Sequence, residues 1–145
     1  MTTTEGIEVF RRVIDAGFNS GNLEELDRWV APDLIEHQLG GESGLPALKE
    51  MIRGLRTAFP DLRMTIEDSV TAGDKVWARL TCRGTQTGPL MGLPATRRAM
   101  ETTPFEICRF ANGKLVEHWG VPDRFAGLAQ LGLLPPAGRP ALPAR

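Results

Sequence analysis

The sequence predicts an α+β fold, with three N-terminal helices packed on the concave face of a curved antiparallel sheet. The result is a cone-shaped barrel with a pocket at its open end. Three observations carry this. Segments of helical period come first and segments of strand period mostly follow, instead of alternating as in a parallel α/β fold. The four long strands are joined by short turns, which favours antiparallel pairing. Finally, the stretch from Arg97 to Gly132 reads as two strands about an Asn112-Gly113 turn, then one short helix, and the rest of the chain encloses it.

Taken in order, Thr4 is placed to cap a helix in which Ile7, Phe10, Ile14 and Phe18 recur at helical spacing, with Asn19-Ser20-Gly21 as its end. Asn22 is placed to cap a second helix, Leu23 to Trp29, whose first turn carries Glu24 and Glu25. A short strand, Leu34 to Gln38, follows the break at Pro32. The third helix runs from about Leu45 to Phe59, with Pro46 in its first turn and a stripe of Leu48, Met51, Ile52, Leu55 and Phe59; Lys49, Arg53 and Arg56 face out. Strands are expected at Leu62 to Val70, Lys75 to Thr85, Phe105 to Phe110 and Leu115 to Trp119. In the second of these, Val76, Ala78, Leu80 and Cys82 share one face, and Trp77, Arg79, Thr81 and Arg83 the other. The apolar loop Gly88 to Pro94, with Leu90, Met91 and Leu93, reads as a lid over a cavity. Asp123 caps a last helix, Arg124 to Leu131, which Gly132 stops. Residues 1–133 form one domain, and the Pro-rich tail 134–145 is expected to be disordered.

Composition narrows the function. With 17 basic and 18 acidic residues and a formal charge of −1, the chain has no basic surplus for nucleic acid. No apolar run approaches the roughly 18 residues of a membrane span, and the N-terminus lacks the pattern of a signal peptide. Cys82 and Cys108 lie in strand-like runs with no CxxC or metal-ligand spacing, as buried free thiols of a cytoplasmic protein would. With 2 histidines in the chain, a histidine-rich metal site is not expected. No Ser-His-Asp order or phosphate loop is present.

Counting by two along the strands, Pro104, Glu106 and Cys108 share a face, as do Val116, His118 and Gly120. A glutamate beside an imidazole in an apolar cleft is a workable acid/base pair, and equally an ion pair that stabilises the mouth of the cone. Asp123 is a further acid or simply the cap of its helix. His37, alternating with Glu36, is a candidate for the opposite wall. Arg79, Arg83 and Arg109 either pair with Glu67, Glu101 or Glu117 at a subunit interface or bind an anion. Trp29, Trp77, Trp119 and Phe105 suit core or interface as well as a substrate platform.

The order helix, helix, short strand, helix, four strands resembles the nuclear-transport-factor-two superfamily. Within it the chain resembles the SnoaL-like polyketide cyclases over about residues 5 to 133. The resemblance rests on Arg83-Gly84-Thr85-Gln86-Thr87-Gly88 with Met91-Gly92-Leu93-Pro94-Ala95-Thr96, on Arg109-Phe110 and Gly113-Lys114, and on Glu117-His118-Trp119 and Gln130-Leu131-Gly132. It implies ring closure by intramolecular aldol condensation, or a related isomerisation or dehydration, with no metal or organic cofactor, in a homodimer. It also implies an aspartate near the end of the last strand as acid/base, assisted by a histidine on the preceding strand. Those positions fall at Gly120 and Glu106, and Gln86 stands where a Gly-Thr-His segment often has its histidine. The resemblance turns the faces of Glu106 and His118 to the pocket. The expected catalytic residues are therefore Glu106, His118 and Asp123. His37, Gln86, Met91, Gly120 and Trp29 are expected to contact a small apolar ligand bearing a carbonyl. Two other readings remain open: a binding module that has lost the family's aspartate, and an enzyme that opens epoxides.

Overall fold

The computed structural model describes residues 3–38 and 40–134. Its elements are α1 (Thr3–Val13), a π-helical turn (Ile14–Asn19), α2 (Leu26–Trp29), β1 (Val30–Glu36), α3 (Leu45–Ala58), β2 (Arg63–Ala72), β3 (Lys75–Thr85), β4 (Ala99–Thr102), β5 (Phe105–Ala111), β6 (Lys114–Val121) and α4 (Arg124–Gln130). The α+β class is as expected: helices cover one face of a curved sheet in the order β1-β6-β5-β3-β2, with β4 paired to β3. The tail expected to be disordered lies, from residue 135 onward, outside the described residues. Among the described residues, no helix is long and apolar enough to cross a membrane.

The sheet departs from the expected antiparallel pattern at one edge. β1 runs parallel to β6, pairing Glu36 with His118, so the sheet is mixed and does not close on itself. The chain reaches this arrangement through α3, β2, β3 and β5, and a crossover of that length permits parallel pairing. The strand expected at Leu34 also begins earlier, at Val30. β4 was not foreseen. It continues the partner edge of β3, pairing Cys82–Thr85, while β5 pairs Lys75–Arg79; Thr103-Pro104 makes the jog between them, with Leu80 N–H donating to Pro104 O at 2.9 Å. The β5–β6 hairpin turns at Asn112 and Gly113, whose φ values of 51° and 75° are those a type I′ turn requires.

The first helix does not run regularly to its end. Ser20 N–H bonds Asp15 O at 2.9 Å, five residues back, and this inserts a π turn. Asn19 closes it by pairing sideways with β2: its Nδ2 donates to Met64 O at 2.9 Å, and Met64 N–H donates to its Oδ1 at 2.7 Å. Arg56, expected to face out from α3, instead donates to Phe18 O and Asn19 O and satisfies the helix's last carbonyls. The second helix is shorter than expected. Residues 23–25 form turns, and Asn22 Nδ2 reaches Glu25 at 3.4 Å instead of capping a helix at Leu23. Phe10, Ile14, Leu26, Leu34, Ile52, Val76, Leu80, Cys108 and Phe110 form the main core between helices and sheet.

Candidate active site

Between the helices and the sheet lies a cavity of about 660 Å³, within the range of small-molecule sites. Its walls are mostly apolar, with Phe18, Leu48, Met51 and Leu128 among them. The ionisable groups on its wall, besides the thiols, are Glu36, Glu106, His118, Asp123 and Arg124. Three of these form one unit.

β5 and β6 place Glu106 opposite Gly120 and Cys108 opposite His118, so Glu106 and His118 are diagonal neighbours on the inner face. His118 Nε2 is in short contact with Glu106 Oε2. On the other side of the ring, Nδ1 lies 2.8 and 2.9 Å from the two oxygens of Glu36, which the parallel β1–β6 pairing sets beside His118. The imidazole is thus held between two carboxylates, each side chain about a tenth exposed (10% for Glu106, 9% for Glu36), with the ring at 17%. Burial disfavours the imidazolium, but the hydrogen bonds and charges of Glu106 and Glu36 outweigh it and push His118 up to about 9. Burial likewise works to raise the Glu36 carboxyl. The His118 hydrogen bond and charge, with backbone N–H groups of Gln38 and His37, prevail and hold it below its ordinary value. At neutral pH the ring is therefore a cation. Glu106 keeps its second oxygen without a hydrogen-bond partner among the described residues, on the cavity wall.

Gly120 makes this arrangement possible. A Cβ there would lie 2.3 Å from Glu106 Oε2, 2.7 Å from Gln38 Oε1 and 2.8 Å from His118 Cε1. Glu106 occupies the space a side chain at 120 would need. Beside it, the Gln38 amide lines the cavity with no side-chain hydrogen bond of its own among the described residues.

Of the residues singled out from the sequence, Glu106, His118, Asp123 and Met91 line the cavity. Asp123 also caps α4: its Oδ1 accepts from Ala126 N–H at 3.2 Å. Met91 stands at the cavity's edge, 64% exposed. His37 lies on the outer side of β1, stacked on Trp119 with ring centroids 4.6 Å apart and bonded to Glu117 at 2.8 Å. Trp29 donates to Glu25 and carries the Arg28 guanidinium over its ring, away from the cavity wall. Gln86 is wholly buried behind the wall, bonded to the loop that follows it. Glu36 and Gln38 are the cavity residues that sequence reasoning passed over in favour of His37. The signal was the parity of β1: Leu34 is buried and Ile35 is 44% exposed, so 36 and 38 point inward. Both 34 and 35 are apolar, which hid it.

Cys82 and Cys108 also line the cavity as free thiols. Burial, aided by the Glu106 charge, pushes Cys82 up to about 11 and raises Cys108 well above its ordinary value, so neither is a thiolate nucleophile at neutral pH.

Comparison with known proteins identifies the family and the fold. The sequence pattern of the SnoaL-like polyketide cyclases matches residues 8–131. Nogalonic acid methyl ester cyclase of Streptomyces nogalater is 28% identical over 123 residues, covering 81% of this chain and 90% of its own. TsrD of Streptomyces laurentii superposes with a TM-score of 0.84 at 28% identity, over 92% of this chain and 99% of that one. IdmH of Streptomyces antibioticus does so with a TM-score of 0.78 at 34% identity, over 88% and 98%. With the pattern spanning all but the ends of the chain, and the fold shared with these structures, the chain belongs to the SnoaL-like polyketide cyclase family.

Proposed function

We propose that this protein closes a ring in a polyketide-derived carbonyl compound by intramolecular aldol reaction, with Glu106 as the acid/base. The observation that carries the reading is the Glu106 carboxyl group on an apolar cavity wall, one oxygen held against the His118 ring and the other without a hydrogen-bond partner among the described residues. Glu106 takes a proton from the carbon next to one carbonyl, leaving an enolate. The enolate carbon attacks a second carbonyl of the same molecule: a C–C bond forms and the C=O π pair moves to oxygen. The carboxylic acid of Glu106 then returns its proton to that alkoxide, so the reaction is a net isomerisation. His118, kept cationic by Glu36, orients Glu106 and supplies positive charge beside the developing enolate. The Gln38 side chain borders the same corner of the cavity, its Oε1 toward Gly120. Asp123 serves as the cap of α4 and borders the cavity.

The resident substrate is a small, largely apolar carbonyl compound, such as the methyl ester in the name of the Streptomyces nogalater relative. The protein acts as a homodimer through the outer sheet face, where Val70, Trp77, Ile107 and Trp119 stand side by side across four strands, with Val70 63% and Trp77 49% exposed. It is read as cytoplasmic, consistent with its two free thiols. The test is turnover of a polycyclic β-keto methyl ester by Glu106→Gln. Loss of one acid/base costs roughly 10²–10⁴-fold in rate. Wild-type turnover by Glu106→Gln overturns the assignment, and a wild-type protein that binds such esters without converting them overturns the enzyme reading.

A further inference from the structure

Gln86 has no exposed surface, and its side chain spends its hydrogen bonds on one loop. Its Nε2 donates to Gly88 O and to Pro94 O, each at 3.2 Å. Its Oε1 accepts from Thr96 N–H at 3.2 Å and from Thr96 Oγ1 at 2.7 Å. Its backbone closes the same loop, with Gln86 N–H bonded to Arg98 O and Arg97 N–H to Gln86 O. One amide thus ties the start of the loop to its end, as in a compact loop whose ends meet. Between the ties, Leu90 and Leu93 exchange backbone hydrogen bonds of 3.0 and 2.8 Å about a tight turn at Met91 and Gly92.

This loop supplies Pro89, Leu90, Met91 and Gly92 to the cavity wall. Its base presses on the end of α3, where Thr87 and Gly88 N–H groups both donate to Ala58 O. A Cβ on Gly88 would lie 2.1 Å from Thr57 O, so nothing but glycine fits the approach. A buried amide is costly unless its bonds are met, and an apolar side chain would fill the same space without that demand. What the amide adds is a fixed loop conformation.

We propose that Gln86 is a positioning residue: by latching both ends of the 88–96 loop it fixes that loop as a wall of the cavity and sets the size of ligand the cavity admits. The proposal rests on the cavity being the substrate site, as read above, but not on the reaction performed there. Gln86 never touches the ligand; Leu90 and Met91 do.

The experiment uses the full chain, with Gln86→Leu to remove all four side-chain bonds and Thr96→Val to remove the hydroxyl's bond to Gln86 together with the long one it accepts from Arg98 N–H at 3.4 Å. Hydrogen exchange is followed at the Leu90 and Leu93 amides and, as reference, at amides of β5. Binding of naphthalene and of the larger pyrene is followed by fluorescence. In Gln86→Leu the two loop amides exchange about 10–100-fold faster while the β5 amides keep their wild-type rates. The ratio of pyrene to naphthalene affinity changes by about tenfold, the scale on which pockets discriminate size. Thr96→Val moves both readouts the same way by less, and decides the matter if Gln86→Leu does not fold. Loop exchange that stays unchanged, or rises only in step with β5, overturns the proposal, as does an unchanged affinity ratio. Because these probes report binding and not turnover, failure of the cyclase reading would leave this result standing, and the reverse.

Discussion

Gly120→Ala adds one methyl group at the position where the resemblance implies an aspartate, and its effect can be worked from the structure. Ordinary contact starts at 3.4 Å, and the new Cβ would lie 2.3 Å from Glu106 Oε2, so that oxygen must retreat by 3.4 − 2.3, about 1.1 Å. By the same arithmetic Gln38 Oε1 must move about 0.7 Å and His118 Cε1 about 0.6 Å. The Glu106–His118 contact cannot survive such a shift of its acceptor. Overpacking of this kind costs about 1–3 kcal/mol, or a fall in Tm of about 3–10 °C for a chain of this size. Misplacing a catalytic group by about 1 Å costs about 10²-fold in rate. The His118 ring, freed of its stronger partner, falls from about 9 toward its ordinary 6.5. The assays are turnover, thermal melting and an NMR titration of the imidazole. Turnover within about twofold of wild type, well short of the loss a displaced acid/base brings, with an unchanged ring titration, would refute the claim that Glu106 occupies the space above Gly120. The same geometry bears on Gly120→Asp, which by resemblance alone looks like a restoration of activity. With Glu106 in place it is a clash, and the arrangement that the resemblance implies needs Glu106→His together with Gly120→Asp.

Three further outcomes are expected. The folded protein holds the His118 proton more tightly than the unfolded chain does, so that contribution is complete below about pH 6.5 and is lost as pH rises through about 9. The gap is worth about 3 kcal/mol. Glu36, held low, works in the opposite sense and loses its contribution as pH falls below its ordinary 4.5. Urea unfolding should therefore show stability declining from pH 6.5 to 10 in the wild type and flattened in His118→Gln; matching profiles would contradict this. Glu36→Gln should lower the ring pKa less than Glu106→Gln does, since Glu106 is the stronger of the two influences, and should slow turnover by about tenfold or more. Trp77→Glu, in the middle of the apolar row on the outer sheet face, should convert a dimer to a 15.9 kDa species in sedimentation at micromolar concentration. A wild type already sedimenting as that species removes the dimer.

The turn of the hairpin and the strand β3 were legible because their physics is local. Alternation alone gives β3 from Lys75 to Thr85, and Asn112-Gly113 announces its own turn. The diagonal meeting of Glu106 and His118 is less local: counting outward from that turn sets Ile107 opposite His118, and the extra residue Val116, where the register shifts between Arg109 and Phe110, brings Glu106 and His118 to one face. What could not be read depends on segments distant in sequence. Glu36 reaches His118 across 82 residues through a parallel pairing that no local pattern signals. β4 has four residues and ends at a proline break, too short for alternation to register. Gln86 stands where the resemblance implies a histidine, which points to the ligand; its burial behind the loop is a property of packing. The π turn inserts a residue that a helical period does not anticipate.

That π turn has a consequence for how the molecule behaves among its copies. β2 is the last strand on its side of the sheet, and a terminal strand offers open peptide groups to any passing chain. The residue that the extra helical turn delivers, Asn19, meets both the N–H and the C=O of Met64, as the peptide group of a neighbouring strand would. A single side-chain amide thus stands in for a seventh strand at that point, and it has nothing to pass on to an eighth. Asn19→Leu would reopen the site to strand-by-strand growth, so the first symptom of its loss would be turbidity on standing or heating.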